Sequence, residues 1–140
     1  MKGTRMKRKI LIASLLAATT CAWAAPASLD DAKVMAAMKA ADPDKDGTLD
    51  AKEAARLGIS QSTFDKVNAD KDGHLDKAEF IAAITAEFNA ADPDKDGSLT
   101  WAEAQKAGIK TKATFDAADP DKDGTLNLPE YLAALVAQLK

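Results

Sequence analysis

An acidic twelve-residue segment occurs four times in this chain, and its spacing leaves few folds open. The segments are Asp42 to Glu53, Asn68 to Glu79, Asp92 to Glu103 and Asp119 to Glu130. They start 26, 24 and 27 residues apart, so only 14, 12 and 15 residues separate them. A larger repeat contains them. Ala41-Asp42-Pro43-Asp44-Lys45-Asp46-Gly47 recurs as Ala91-Asp92-Pro93-Asp94-Lys95-Asp96-Gly97, Gly58-Ile59 as Gly108-Ile109, and Thr63-Phe64-Asp65 as Thr114-Phe115-Asp116. The chain is a doubled module, about 29–89 and 90–140, with two acidic segments in each copy.

Each segment reads as an oxygen cage for a hard cation. Positions 1, 3 and 5 bring short side-chain oxygens to one side of a tight turn: Asp42, Asp44 and Asp46; Asn68, Asp70 and Asp72; Asp92, Asp94 and Asp96; Asp119, Asp121 and Asp123. Glycine at position 6 permits a bend that a side chain resists. Position 7, occupied by Thr48, His74, Ser98 and Thr125, offers its backbone carbonyl. Position 9 holds Asp50, Asp76, Thr100 and Asn127. Position 12 is always glutamate (Glu53, Glu79, Glu103, Glu130), long enough to reach back with both oxygens. All four segments fit the EF-hand calcium-loop pattern, with Asn68 replacing the first aspartate in the second. Position 8 is leucine throughout (Leu49, Leu75, Leu99, Leu126), expected to pair loops through a short strand contact. Lys45, Lys71, Lys95 and Lys122 at position 4 are expected to point outward and ease repulsion.

The flanking sequence predicts an all-α fold: a compact bundle of four such hands, with short helices and closely spaced loops. Ser28 is expected to cap a first helix over Leu29 to Ala40, with Val34, Ala37, Met38 and Ala41 facing inward. The position-9 residues are good N-caps, and the glutamate three residues on completes a capping box. Pro129 is tolerable in a first helical turn. Gly58 and Gly108 end short helices; Ser60 or Ser62 can start the next in the first module. Lys77 to Ala91 has no breaker and reads as one helix with Phe80, Ile81, Ile84 and Phe88 on one face. Tyr131, Leu132, Leu135 and Leu139 repeat that stripe near the end.

The first 24 residues read as a secretory signal. Lys2, Arg5, Lys7, Arg8 and Lys9 precede an uncharged run from Ile10 to Ala22, and Ala22-Trp23-Ala24 suits cleavage after Ala24. The run is too short for a permanent membrane span. Cys21 offers a lipoprotein reading, which Ala18-Thr19-Thr20 does not favour. The expected mature domain, 25–140, has no cysteine for a disulfide and only four Phe, one Trp and one Tyr. All 22 acids lie in it with 14 of the 19 basic residues, so its net charge is −8 against −3 for the whole chain. Seventeen of those acids fall within the four loops, where they repel one another without a cation. That acidity argues against nucleic acid as a partner. Bound metal would supply stability that a small, alanine-rich core lacks.

Loops of the form D-P-D-K-D-G, their close spacing and a secretory signal together resemble lanmodulin, a family of small periplasmic EF-hand proteins. Pro43, Pro93 and Pro120 carry the resemblance at position 2; Ala69 stands there in the second loop. The resemblance implies a compact three-helix bundle that orders on metal binding, trivalent lanthanide binding in preference to calcium, and a link to lanthanide handling. Family loops tend to have aspartate at position 9, whereas Thr100 and Asn127 stand here in loops 3 and 4. Carboxylates per loop are five, four, four and four. Five suit a trivalent ion, because attraction scales with the product of charges. Four calcium ions would equally neutralise the −8, so the ion's identity stays open between the two.

Other roles find little support. His74 is the only histidine and has no cysteine or second histidine to complete a zinc or catalytic set, so it is expected to face solvent. Trp101, at position 10 of loop 3, is expected to pack at the start of its helix and to report on a nearby ion. No nucleophile–base set or phosphate-binding glycine loop appears, and no enzymatic activity is expected. A buffer or carrier of calcium or lanthanide is the first reading, a monomer with no membrane contact once the signal is removed. A sensor that docks to a protein partner is the alternative; a structural module of a larger assembly is a third. Sensor grooves are often rich in methionine, and only Met35 and Met38 remain here.

Overall fold

Helix starts dictate this architecture. The structure, a computed structural model, describes residues 29–140. The expected signal segment 1–24, Cys21 and the expected Ser28 cap lie outside the described residues. Along the chain come α1 (Asp31–Ala41), β1 (Leu49–Asp50), α2 (Ala51–Arg56), α3 (Gln61–Val67), β2 (His74–Leu75) and α4 (Lys77–Ala91). The second module adds β3 (Leu99–Thr100), α5 (Trp101–Lys106), α6 (Lys112–Ala117), β4 (Thr125–Leu126) and α7 (Leu128–Ala137). Asp50, Asp76, Thr100 and Asn127 cap α2, α4, α5 and α7, each with the glutamate three residues on returning the bond in a full capping box. Pro129 sits in the first turn of α7, where no amide is needed.

The first helix starts later than Ser28 would place it. Asp30 is its N-cap, accepting from the Ala32 amide at 2.9 Å, and the helix runs on through Ala41. A carboxylate at that position offsets the free amides and the helix dipole together. Among the described residues there are seven helices, not the three that the lanmodulin resemblance implies. Gly58 and Gly108, at φ +79° and +98°, break two of the inter-loop segments into helix pairs. These turns also meet: a Cβ at Gly108 would lie 3.9 Å from the Gly58 Cα, so the modules touch backbone to backbone there.

The position-8 leucines decide which loops pair. Leu49 lies opposite Leu75 in an antiparallel bridge of β1 and β2, and Leu99 opposite Leu126 in one of β3 and β4. Loop 1 therefore pairs with loop 2, and loop 3 with loop 4. All four leucines are fully buried.

One core joins the two modules. The uninterrupted helix α4 buries Phe80, Ala83, Ile84 and Phe88, while Ile81 is only half-buried. Phe88 meets Tyr131 of α7 with ring centroids 5.7 Å apart. Tyr131 is buried, and its hydroxyl donates to the Ala107 carbonyl at 3.0 Å. Burial pushes its pKa well above the usual phenol value, with the Glu87 charge adding to the shift. Leu132 and Leu135 are buried beside it; Leu139 lies past the end of α7 and is half-buried. Helix α1 packs on both α4 and α7, which seals the first module against the second. No helix among the described residues is long and apolar enough to cross a membrane.

Candidate metal centre

Three of the four loops are built by their own backbone amides turning toward the position-1 side chain; in loop 2 no amide bonds Asn68 Oδ1. Asp42, Asp92 and Asp119 are buried although acidic. Their Oδ2 atoms accept from the position-6 amides of Gly47, Gly97 and Gly124 at 2.9, 3.0 and 3.0 Å. Their Oδ1 atoms accept a second amide, from Lys45, Asp96 and Asp123 respectively. The chain coils left-handed at position 4 in all four loops, loop 2 included. Lys45, Lys71, Lys95 and Lys122 all have φ between 57° and 62°, a conformation uncommon for residues with a Cβ. Sequence reasoning missed this, since lysine does not announce a left-handed turn as glycine or asparagine does. The lysine side chains are exposed, as expected.

Position 5 ties down position 7. Oδ1 of Asp46, Asp72, Asp96 and Asp123 accepts the amides of Thr48, His74, Ser98 and Thr125 at 2.8 to 2.9 Å. The hydroxyls of Thr48, Ser98 and Thr125 bond the same oxygens. His74 is half-buried, not freely exposed, because its backbone lies in the bridge opposite Asp50. At position 12 the glutamate Oε2 accepts the position-9 amide in every loop: Asp50 to Glu53, Asp76 to Glu79, Thr100 to Glu103 and Asn127 to Glu130, at 2.8 to 3.1 Å. Asp50, Asp76, Thr100 and Asn127 thus spend their side chains as caps.

Three loops concentrate negative charge. Ligand oxygens of Asp42, Asp44 and Glu53 lie within 4.8 Å of one another, as do those of Asp92, Asp94 and Asp96, and of Asp119, Asp121 and Asp123. The ion pairs among the described residues are Lys77 with Asp31 and Lys112 with Asp116, neither of which reaches a loop carboxylate. Titration behaviour follows. Asp44, Asp94 and Asp121 are raised above the usual aspartate pKa, first by a hydrogen bond with the position-1 carboxyl, then by desolvation and the position-5 charge. For Asp42, Asp92 and Asp119 desolvation works upward, but the loop amides and the position-3 partner outweigh it and the net shift is downward. Glu53 and Glu130 are raised, by desolvation first and then by neighbouring loop carboxylates. The raised groups mark crowded negative charge, which a bound cation would relieve.

Loop 2 differs. Asp70 and Asp72 are exposed like their equivalents in the other loops, but no group of three carboxylates closes there. Asn68 is buried, and its Oδ1 has no hydrogen-bond partner. A buried acceptor left open in this way fits a cation ligand. Hard oxygen donors of this kind suit calcium in the three loops whose carboxylates converge.

The EF hand model matches residues 111–136. That segment is similar to an EF hand. The matched span runs from the Thr111 cap of α6 through loop 4 into α7, so it holds an entering helix, the loop and an exit helix. An EF hand is a metal-binding element, with calcium the usual ion. No curated protein matches the chain. Similar solved structures include a homolog of programmed cell death 6 protein from Leishmania major Friedlin, at 21% identity and TM-score 0.34, covering 71% of each chain. A redox protein from Chlamydomonas reinhardtii, at 21% identity and TM-score 0.34, covers 81% of this chain and 52% of its own. Likenesses this distant bear on neither mechanism nor partners.

Proposed function

We propose that the protein is an exported, non-enzymatic ion binder that holds calcium or trivalent lanthanide ions in four EF-hand loops, as a periplasmic buffer or carrier of the lanmodulin type. One observation carries the reading: three groups of carboxylates lie within 4.8 Å, and no ion pair among the described residues reaches them. The ligands are those at positions 1, 3, 5, 7 and 12, with position 9 contributing through water, as EF-hand chemistry requires. Export rests on the basic-then-apolar start before Ala25. Lanthanide preference rests on the D-P-D-K-D-G loops and the five carboxylates of loop 1.

A sensor reading has one observation in its favour. A groove of about 270 Å³ runs between α1 and α7, lined by Ala36, Ala37, Leu132 and Val136, with Lys33 and Lys140 at its margin. Met35, on α1, is exposed.

Trp101 supplies the test. It begins α5 three residues beyond Ser98, half-buried, with its ring edge-on to Phe115 at 5.5 Å. Terbium added to the protein is expected to show emission sensitised by Trp101, and calcium and lanthanum should each displace it. Lanthanum competing at least about 100-fold better than calcium, a difference of about 2.7 kcal/mol, supports the lanmodulin-type role. Equal competition rejects that role and leaves a calcium binder. Absence of sensitised emission at saturating terbium counts against an ion in loop 3.

A further inference from the structure

Position 2 separates loop 2 from the other three. Pro43, Pro93 and Pro120 have no amide hydrogen, and Oε1 of Glu53, Glu103 and Glu130 makes no hydrogen bond among the described residues. In loop 2 the Ala69 amide donates to Glu79 Oε1 at 2.9 Å, while the Asp76 amide holds Oε2 at 3.1 Å. Both oxygens of Glu79 are therefore committed to backbone. The Asn68 Oδ1 beside it is more than nine-tenths buried and has no partner, so the loop presents an open acceptor and a fastened glutamate together.

We propose that the Ala69 amide is an internal competitor for the loop-2 ion, a latch on Glu79 that makes this the last site to fill, and that proline at position 2 sets the affinity of the other loops by removing it. The proposal rests on the four-loop reading above. Bidentate ligation by Glu79 draws both oxygens toward the cation, so the Ala69 amide on Oε1 pulls against the ion. Breaking a hydrogen bond to a carboxylate reduces affinity by about 10-fold or more. The position-2 prolines act before the ion arrives, since a residue without an amide hydrogen cannot close the same bond. Ala69 is a positioning residue: it touches Glu79 and supplies no ligand of its own.

Calcium titration of the full chain, followed by the backbone amide resonances of Gly47, Gly73, Gly97 and Gly124, reads each loop separately. The Gly73 resonance is expected to move at the highest calcium, and the Ala69 amide is expected to exchange slowly with solvent before calcium and faster after. Ala69→Pro should lower the Gly73 midpoint about 10-fold and leave the other three within about 2-fold. Ala69→Gly keeps the amide and should leave Gly73 last. Gly73 moving together with the other glycines in the natural sequence overturns the proposal, as does an unchanged Gly73 midpoint in Ala69→Pro. Should that variant fail to fold, the wild-type order and the Ala69 exchange rates decide. Absence of any calcium-dependent shift at the other three glycines would instead defeat the four-loop reading.

Discussion

Glu130→Gln is expected to remove one ion from the protein without unfolding it. Glutamine can still accept the Asn127 amide that Glu130 Oε2 accepts at 2.9 Å, and a capping box tolerates either residue. What disappears is the charge and the second ligating oxygen at position 12. Loss of an outer-shell partner alone costs about 10–100-fold in metal affinity, and loss of a direct ligand should reach or exceed the upper end. The loop-4 site should fall silent in a calcium titration by calorimetry, while far-ultraviolet circular dichroism of the metal-free chain stays unchanged. Loop 3 should weaken as well, by a smaller factor, because Leu99 and Leu126 join the two loops in one antiparallel bridge. Terbium emission through Trp101 would report that smaller shift separately. An unaltered ion count would show that Glu130 is no ligand.

Phe80→Ala is expected to be the most damaging single change to the fold. Phe80 is fully buried on α4, the helix that both modules use as their wall. Truncating a buried phenylalanine costs about 3–5 kcal/mol, through lost transfer energy and the cavity left behind. Domains of this size have about 5–15 kcal/mol in reserve, and a small alanine-rich core sits toward the lower end. The metal-free variant should therefore be largely unfolded at 25 °C. Calcium at about 100 times its dissociation constant returns about 2.7 kcal/mol for each site that exists only in the folded form, so saturation should restore much of the structure. Urea unfolding with and without calcium measures both numbers. A loss below about 1 kcal/mol without metal would mean that the modules do not depend on a shared core.

Much of this was readable in the residues because the controlling interactions are local. Asp50, Asp76, Thr100 and Asn127 cap helices within three residues of themselves, and the position-8 leucines pair by the same register in both modules. Alanine-rich α4 shows no breaker, and its limits at Lys77 and Ala91 follow directly. Features that escaped depend on atoms distant in sequence or on backbone geometry with no side-chain signature. The left-handed lysines belong to the tight turn of the loop backbone, which recurs in loop 2 with no amide on the position-1 oxygen. The first helix begins at Asp31 because Asp30, closer to the helix proper than Ser28, is already an adequate cap. Partner assignment for the loops required the tertiary fold. So did the paired clasps in which Glu87 accepts from Ser60, and Gln138 accepts from Lys110 and donates to Gly108; these hold equivalent corners of the two modules. The Ala69 contact with Glu79 spans ten residues and appears only once the loop is closed.

Equilibrium dialysis of the protein against calcium tests the central claim most directly. Free calcium should rise to about 10⁻² M, tenfold above the weakest affinities of EF-hand modules at about 10⁻³ M. Saturable uptake of four ions per chain is expected, three in a tighter phase and the fourth, in loop 2, at higher calcium. Uptake that never saturates, or none above the level expected for a polyanion of the same charge, would contradict it.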